Sequence, residues 1–175
     1  WPKLVVRSVQ KLNQSYINTI VRKALEEDLR PRGDITTNLI TAKDKIIKAK
    51  IIAKQDGVVA GLDFCKTAFK LIGKESVFTK KISDGKKIKK KKVIAIIKAK
   101  KKTILTAERT ALNFLNHASG IATLTNQFVK KISKKTKICC TRKTTPNLRT
   151  LEKYAVKKGG GHNHRYNLSD EILIK

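Results

Sequence analysis

The stretch KICCTRKTTPNLRTLEKYAVKKGGGHNHR, residues 137–165, decides how this chain folds. Its first four residues are typical of a short buried strand, and residues 148–158 have the pattern of a helix that Gly159 closes. The order strand, loop, helix and strand is that of a parallel α/β unit, in which functional groups gather at the C-terminal ends of the strands. We therefore expect the intervening loop at such an end, and a second strand at residues 172–174 with Lys175 at its tip.

The loop after the first strand has the composition of an anion site. Thr141 precedes Arg142, whose planar fork matches a carboxylate or a phosphate, and Lys143 adds a compact point charge. His164 and Arg165 follow a run of three glycines further along the chain. Because that run lacks the spacing of a known nucleotide loop, we interpret it as a helix cap and turn. The sequence thus predicts a site for a small polyanion, in an enzyme.

The first hundred residues predict an α+β arrangement. The pattern of apolar residues predicts helices over 15–29 and 62–72, the second capped by Gly73, and Cys65 then becomes a small core residue. Alternation or apolar runs predict strands over 46–54, 77–82 and 93–99. The lysines at 86–92 fall between the last two of these strands, and a solvated turn is the favoured interpretation over a binding patch.

A long helix is predicted next, over residues 105–132, with Gly120 as a position where it breaks or bends. The candidate inward residues on this helix are Leu112, Leu115, Ile121, Leu124, Phe128 and Ile132.

The charge of the chain suggests a second class of function. There are 41 Lys and Arg against 13 Asp and Glu, a net charge of +28, so nucleic acid is an obvious partner to consider. However, 33 of the 41 cations are lysine and 20 residues are isoleucine, a combination that AT-rich coding also produces. The aromatic share is 5% and unclustered, which disfavours base stacking. A basic nucleic-acid-binding module therefore remains only the alternative to an enzyme.

Other features of the sequence restrict its setting. No apolar run approaches the ~20 residues that span a bilayer, and the first residues do not resemble a signal peptide, so we expect a cytoplasmic protein without a membrane partner. The three cysteines form neither a disulfide framework nor a spaced zinc quartet. The chain contains no methionine, position 1 included, and ends within an apolar segment, from which we expect a fragment of a longer protein.

Several ordered motifs resemble those of one family, quinolinate phosphoribosyltransferase, also called carboxylating nicotinate-nucleotide pyrophosphorylase. The two segments described above belong to the series. The other matching stretches are ALEED at 24–28, GDITT at 33–37, GVVAG at 57–61, TAERTALNFL at 106–115 and SGIAT at 119–123. The similarity runs from about residue 14 to the last residue.

The resemblance implies a reaction and a fold. Family members transfer a phosphoribosyl group from phosphoribosyl pyrophosphate to the ring nitrogen of quinolinate, which loses one carboxyl as carbon dioxide. The products are nicotinate mononucleotide and pyrophosphate, on the route to NAD. The implied fold is an N-terminal α/β sandwich, residues 1–104 here, followed at 105–175 by the first part of an open α/β barrel. The implied assembly is a homodimer in which each sandwich completes the partner's active site.

The resemblance also implies roles for individual residues. Arg142, Lys143, Arg165 and Lys175 are similar to the cations that line the site for carboxylates and phosphates, and Thr141 and His164 join them as substrate-binding residues. Lys143 and His164 are the implied catalytic pair, and Arg109 is the arginine implied to reach into the partner's site. Magnesium is the implied cofactor, with ligands beyond this fragment, which we expect to be inactive alone.

Two positions depart from the family pattern. Members usually have Asp where this chain has Cys140, and commonly Gly where it has Asn147. The first change removes a carboxylate beside Arg142. The second is expected to restrict the turn after Pro146, although Asn tolerates a left-handed backbone better than most residues.

Overall fold

The computed structural model describes residues 12–41, 44–133, 135–170 and 172. Helices and strands alternate irregularly along these residues, and the α+β class predicted from the sequence is confirmed. The helices are α1 (Gln14–Leu29), α2 (Ile35–Ile40), α3 (Leu62–Ile72), α4 (Lys101–Lys131) and α5 (Arg149–Lys158). The strands are β1 (Ile46–Ile52), β2 (Gly57–Val58), β3 (Val77–Lys80), β4 (Lys87–Ile88) and β5 (Val93–Lys100).

The first helix forms as its apolar spacing predicts. Asn13 caps α1 by accepting a hydrogen bond from the Ser15 amide at 2.8 Å. The buried side chains Ile17, Val21 and Leu25 lie four residues apart on one face of the helix, which packs against α3. Burial of this stripe supplies most of the stabilisation that holds α1 to the rest of the chain.

A three-stranded antiparallel sheet has the order β1-β5-β3, and β2 pairs with β4 in a separate two-stranded sheet. Strand β5 is central, and Ala95, Ile97 and Ala99 on one of its faces are buried in the core. The lysine run predicted as a solvated turn contributes Lys87 to β4 and otherwise remains exposed. The alternation of apolar and charged residues thus places the apolar face on the core and the lysine face in water.

The wet face of this sheet places like charges directly opposite each other. Lys48 of β1 pairs with Lys98 of β5, and Lys50 lies diagonally from Lys98. We expect Lys98→Glu to raise the free energy of unfolding by about 0.5–1 kcal/mol, because repulsion across the strands becomes attraction. Urea denaturation at low salt measures this gain, which added salt should reduce. The control Lys98→Gln removes only the repulsion, so a gain as large as that of Lys98→Glu would contradict the pairing.

The long helix differs from its prediction in three respects. It begins at Lys101, directly after β5, and continues through Gly120 without a break. Leu115 is buried as predicted, but Leu124 and Phe128 are exposed. The buried face consists mostly of small residues: Thr103, Ile104, Ala107, Thr110, Ala111, Phe114, Leu115, Ala118, Ala122 and Thr125. Small side chains allow α3 to approach closely, since a Cβ placed on Gly61 would lie 3.0 Å from the Cβ of Ala118.

Helix α5 forms where predicted, with Gly159 as its C-cap, which confirms the glycine run as a cap and turn. The strand predicted over residues 137–140 is wrong among the described residues. In place of the strand there is a single parallel bridge between Cys139 and His162. A parallel strand needs a continuous partner, and the segment around His162 provides only one bridging residue. Of the strand predicted at 172–174, only Ile172 is described, and it is exposed.

No helix in the described part of the chain is long and apolar enough to cross a bilayer.

Asp84 joins α5 to the first part of the chain. Its carboxylate accepts hydrogen bonds from the Gly61 amide at 3.0 Å and the Leu62 amide at 3.2 Å, at the N-terminus of α3. The Tyr154 hydroxyl of α5 donates to the same carboxylate at 2.8 Å. The predicted domain boundary between residues 104 and 105 falls within α4, and the division itself stays a prediction.

Candidate functional site

The bridge between residues 139 and 162 brings the two predicted site segments to one edge. The Cys140 amide donates to the His162 carbonyl at 2.9 Å, and the His162 amide donates to the Ile138 carbonyl at 2.8 Å. Both segments run in the same direction beyond the bridge. Residues 141–143 and 163–165 therefore leave the bridge side by side, as expected for adjacent parallel strand ends.

The segment after Cys140 makes a tight turn. The Lys143 amide donates to Thr141 Oγ1 at 3.1 Å, and the Thr144 amide donates to the Arg142 carbonyl at 3.0 Å. The side chain of Lys143 is exposed, whereas that of Arg142 is half-buried. The turn thereby separates the two cations, one in solvent and one against the protein.

Two buried donors lie at this edge. Arg142 Nε and Asn163 Nδ2 have no hydrogen-bond acceptor among the described residues. Buried donors in proteins are nearly always satisfied. Asn163 lies beside Cys140, since its Oδ1 accepts a hydrogen bond from Cys140 Sγ at 3.4 Å. These two donors suit an acceptor-rich group such as a carboxylate or a phosphate.

The remaining predicted site residues have different settings. His164 is exposed and Arg165 half-buried, both at the edge that the bridge creates. Lys175 lies outside the described residues. Arg109 is exposed on α4, away from this edge. It lines a hollow of about 540 Å³ together with Glu27 and Asp28 of α1. None of the residues in 141–143 or 162–165 lines that hollow, so within this chain Arg109 is not grouped with the other cations.

Helix α5 fixes the loop that connects Cys140 to the N-terminus of the helix. Arg149 donates through Nε to Thr144 Oγ1 at 3.1 Å and through Nη1 to the Tyr166 carbonyl at 3.2 Å. Glu152 Oε2 accepts a hydrogen bond from the Thr145 amide at 3.3 Å, and its Oε1 lies 3.0 Å from His117 Nε2 on α4. The loop is therefore held from two sides.

Three side chains with evident structural importance for this edge were not predicted from the sequence: Arg149, Glu152 and Lys153. Each lies within a helix that was predicted correctly, where a charged residue is ordinarily taken as exposed. Lys153 is 1% exposed, and its Nζ donates to Cys140 Sγ at 3.1 Å and to the His164 carbonyl at 3.0 Å. The available signal was positional: residues 149 and 153 are one turn apart, so both face the same loop.

Asn147, where family members commonly have glycine, lies in the turn after Pro146. Its φ is 66°, in the left-handed region that Asn tolerates better than most residues. The Asn147 carbonyl accepts a hydrogen bond from the Tyr16 hydroxyl at 3.1 Å, which ties the loop to α1. The turn after Pro146 thus forms without glycine.

Comparisons with known proteins agree with the motifs. The quinolinate phosphoribosyl transferase N-terminal domain matches residues 34–119, and the C-terminal domain of the same family matches residues 121–175. A probable carboxylating nicotinate-nucleotide pyrophosphorylase of Methanocaldococcus jannaschii is 43% identical over 166 residues, which are 93% of this chain and 56% of that protein. One of Bacillus subtilis is 40% identical over 167 residues, again covering 56% of its length.

Solved structures give the same assignment. A nicotinate-nucleotide pyrophosphorylase from Francisella tularensis superposes with a TM-score of 0.89 at 39% identity, covering 94% of this chain and 59% of that one. One from Ehrlichia chaffeensis gives a TM-score of 0.86 at 39% identity. The chain spans somewhat more than half the length of the relatives that it matches. With both domain matches in sequence order and a fold shared over nearly all of its residues, the chain belongs to the quinolinate phosphoribosyltransferase family.

Proposed function

We propose that this chain supplies the quinolinate-binding part of a carboxylating phosphoribosyltransferase, a pentosyltransferase of NAD biosynthesis. The observation that carries the proposal is the parallel bridge between Cys139 and His162, which places the Thr141–Lys143 turn beside His164 and Arg165. The names of the matched relatives support the same reaction. Because the chain spans only part of those relatives, the complete activity is proposed for a longer protein.

The chemistry of the reaction explains the demand for positive charge. Quinolinate is a dianion, and phosphoribosyl pyrophosphate carries several further negative charges, so donors oriented before binding stabilise both. The half-buried fork of Arg142 suits a planar carboxylate, and the exposed ammonium of Lys143 suits a mobile phosphate. His164, at the same edge, is the residue proposed to hold or transfer a proton. As the bond to pyrophosphate breaks, these cations offset the charge of the leaving group.

Magnesium and the dimer are the finer parts of this proposal. The described residues contain no group of three or more His, Cys, Asp and Glu that could hold a metal ion, so the ligands of the proposed magnesium ion are proposed to lie outside them. Arg109 is exposed and stands apart from the other cations, which suits a contribution to a second subunit in a homodimer. A cytoplasmic location belongs to the same proposal.

Calorimetric titration of the chain with quinolinate tests the proposal. We expect Arg142→Ala to weaken binding by about tenfold to a hundredfold, the scale of one charge-assisted hydrogen bond pair. Arg22→Ala is the matched control, because Arg22 is an exposed arginine on α1 and its loss changes the net charge equally. Equal affinity of the Arg142→Ala variant and the wild type would contradict the proposed site.

The same variants separate the enzyme from the alternative, a basic nucleic-acid-binding module. That alternative draws on the net charge of +28 and on the exposed lysines of β1 and β5. Binding of a DNA oligonucleotide that falls steeply with salt and is identical in the wild type and in Arg142→Ala would favour the module, provided that quinolinate does not bind.

A further inference from the structure

Lys153 is buried in a setting that its charge does not explain. It lies in α5 between the buried residues Leu151 and Tyr154 and is 1% exposed. No carboxylate of the described residues lies within ion-pair distance of its ammonium. Its hydrogen-bond acceptors are a sulfur atom and a carbonyl oxygen. Burial of a lysine without a carboxylate costs free energy, so packing alone would favour an apolar side chain here.

The two acceptors lie on the two segments that form the candidate site. Cys140 directly precedes the Thr141–Lys143 turn, and the His164 carbonyl directly precedes Arg165. Lys153 Nζ contacts Cys140 Sγ at 3.1 Å and the His164 oxygen at 3.0 Å, so one ammonium connects both segments. The backbone bridge between residues 139 and 162 connects the same segments at a second point. The bond from Cys140 Sγ to Asn163 Oδ1 and the bonds of Arg149 to Thr144 and Tyr166 connect the segments as well. The contact of Lys153, at residues 140 and 164, restricts pivoting about the bridge directly beside the predicted site cations.

We infer that Lys153 is a positioning residue of this site: its buried ammonium holds the segment that carries Arg142 and Lys143 against the segment that carries His164 and Arg165. The inference deepens the proposed function and rests on it for the identity of the ligand. Lys153 itself contacts no substrate in this role. It acts through the geometry of the cations, which must converge on a rigid planar diacid to bind it well.

Lys153→Met tests the inference, because methionine retains the length of the side chain and removes its donors. We expect the midpoint of urea unfolding to stay the same or to rise, since an uncompensated buried charge is lost. We also expect the Cys140 and His162 amides, whose bonds form the bridge, to exchange with deuterium roughly tenfold faster, while amides in α4 are unchanged. Quinolinate should bind roughly tenfold more weakly. Lys157→Met, a change on the same helix, is the control for all three measurements.

The measurements separate the possible failures. If the wild type does not bind quinolinate, the proposed function fails, and hydrogen exchange alone still decides whether Lys153 holds the two segments together. If the Cys140 and His162 amides exchange at the wild-type rate, or only in step with those of α4, the positioning role is overturned. As a second variant, Cys140→Asp gives the ammonium a carboxylate partner at the same position, and we expect it to slow exchange at the His162 amide.

Discussion

Replacing Asp84 by alanine is expected to lower the free energy of unfolding by about 3 kcal/mol, because the three hydrogen bonds of one carboxylate are lost together. Two of them satisfy the Gly61 and Leu62 amides, at the start of α3, where the cap residue is a glycine that has no side chain to offer. In the third, the hydroxyl of Tyr154, a buried residue of α5, donates to the carboxylate. Urea denaturation at neutral pH measures the loss.

Two controls show how the loss is divided. Tyr154→Phe removes only the hydroxyl and leaves the capping interaction, so we expect a loss of about 1 kcal/mol. Asp56→Ala removes an exposed carboxylate that also accepts a backbone hydrogen bond, from Lys90, and should cost well under the Asp84 change. A similar small cost for Asp84→Ala would mean that the carboxylate does not join α5 to α3.

The secondary structure was largely predictable wherever one periodicity dominated. In α1 the stripe that contains Ile17, Val21 and Leu25 satisfies the helical period, and in β1 the alternation of lysine with apolar residues satisfies the strand period. The inward face of α4 was harder because large apolar residues occur around the helix. Packing against α3 selects its alanines and threonines, and leaves Leu124 and Phe128 exposed in the described structure.

Contacts between segments distant in sequence were not predictable. Asp84 lies between two predicted strands and carried no predicted role, yet its hydrogen-bond partners are 22, 23 and 70 residues away. A local signal was overlooked at Asp34, whose side chain accepts the Thr37 amide at 2.9 Å and caps the short helix α2. Hydrogen bonds from the side chain of Thr37 and, secondarily, from its backbone amide lower the pKa of the Asp34 carboxyl.

The sequence indicated which loop carries the cations of the candidate site, but not which side chains hold that loop in place. The sequence predicts a cationic loop at the C-terminal end of a strand in a parallel α/β unit, and in the structure a single parallel bridge at Cys139 stands in place of that strand, directly before the loop. The side chains that hold the loop belong to α5 and were invisible to the pattern. For Lys153 the residue type carries no signal, because its acceptors are a thiol and a backbone carbonyl, and only its position one turn after Arg149 indicates the face that it occupies.

Alkaline pH is expected to destabilise the protein through the buried thiol of Cys65. Burial, and secondarily the charge of Asp84, raises the pKa of this thiol from 9.0 to about 12. A raised pKa means that the folded state favours the protonated thiol. The contribution of the thiol to the free energy of unfolding is therefore fully present below pH 9 and is lost as the pH rises toward 12. Three pH units correspond to a loss on the order of 4 kcal/mol across this window. Urea denaturation in reducing buffer between pH 7 and about pH 11 measures it.

Cys65→Ala should be less stable than the wild type at neutral pH and more stable than the wild type near pH 11. At neutral pH the variant loses about 1–2 kcal/mol because the smaller side chain packs less well in the core. Near pH 11 the wild type has lost more than this through its thiol, so the variant becomes the more stable of the two. Lysines and tyrosines that titrate in the same range affect both proteins equally, and Cys139→Ala, which removes an exposed thiol, should follow the wild type throughout. Parallel stability curves for Cys65→Ala and the wild type would show that the Cys65 thiol does not control alkaline unfolding.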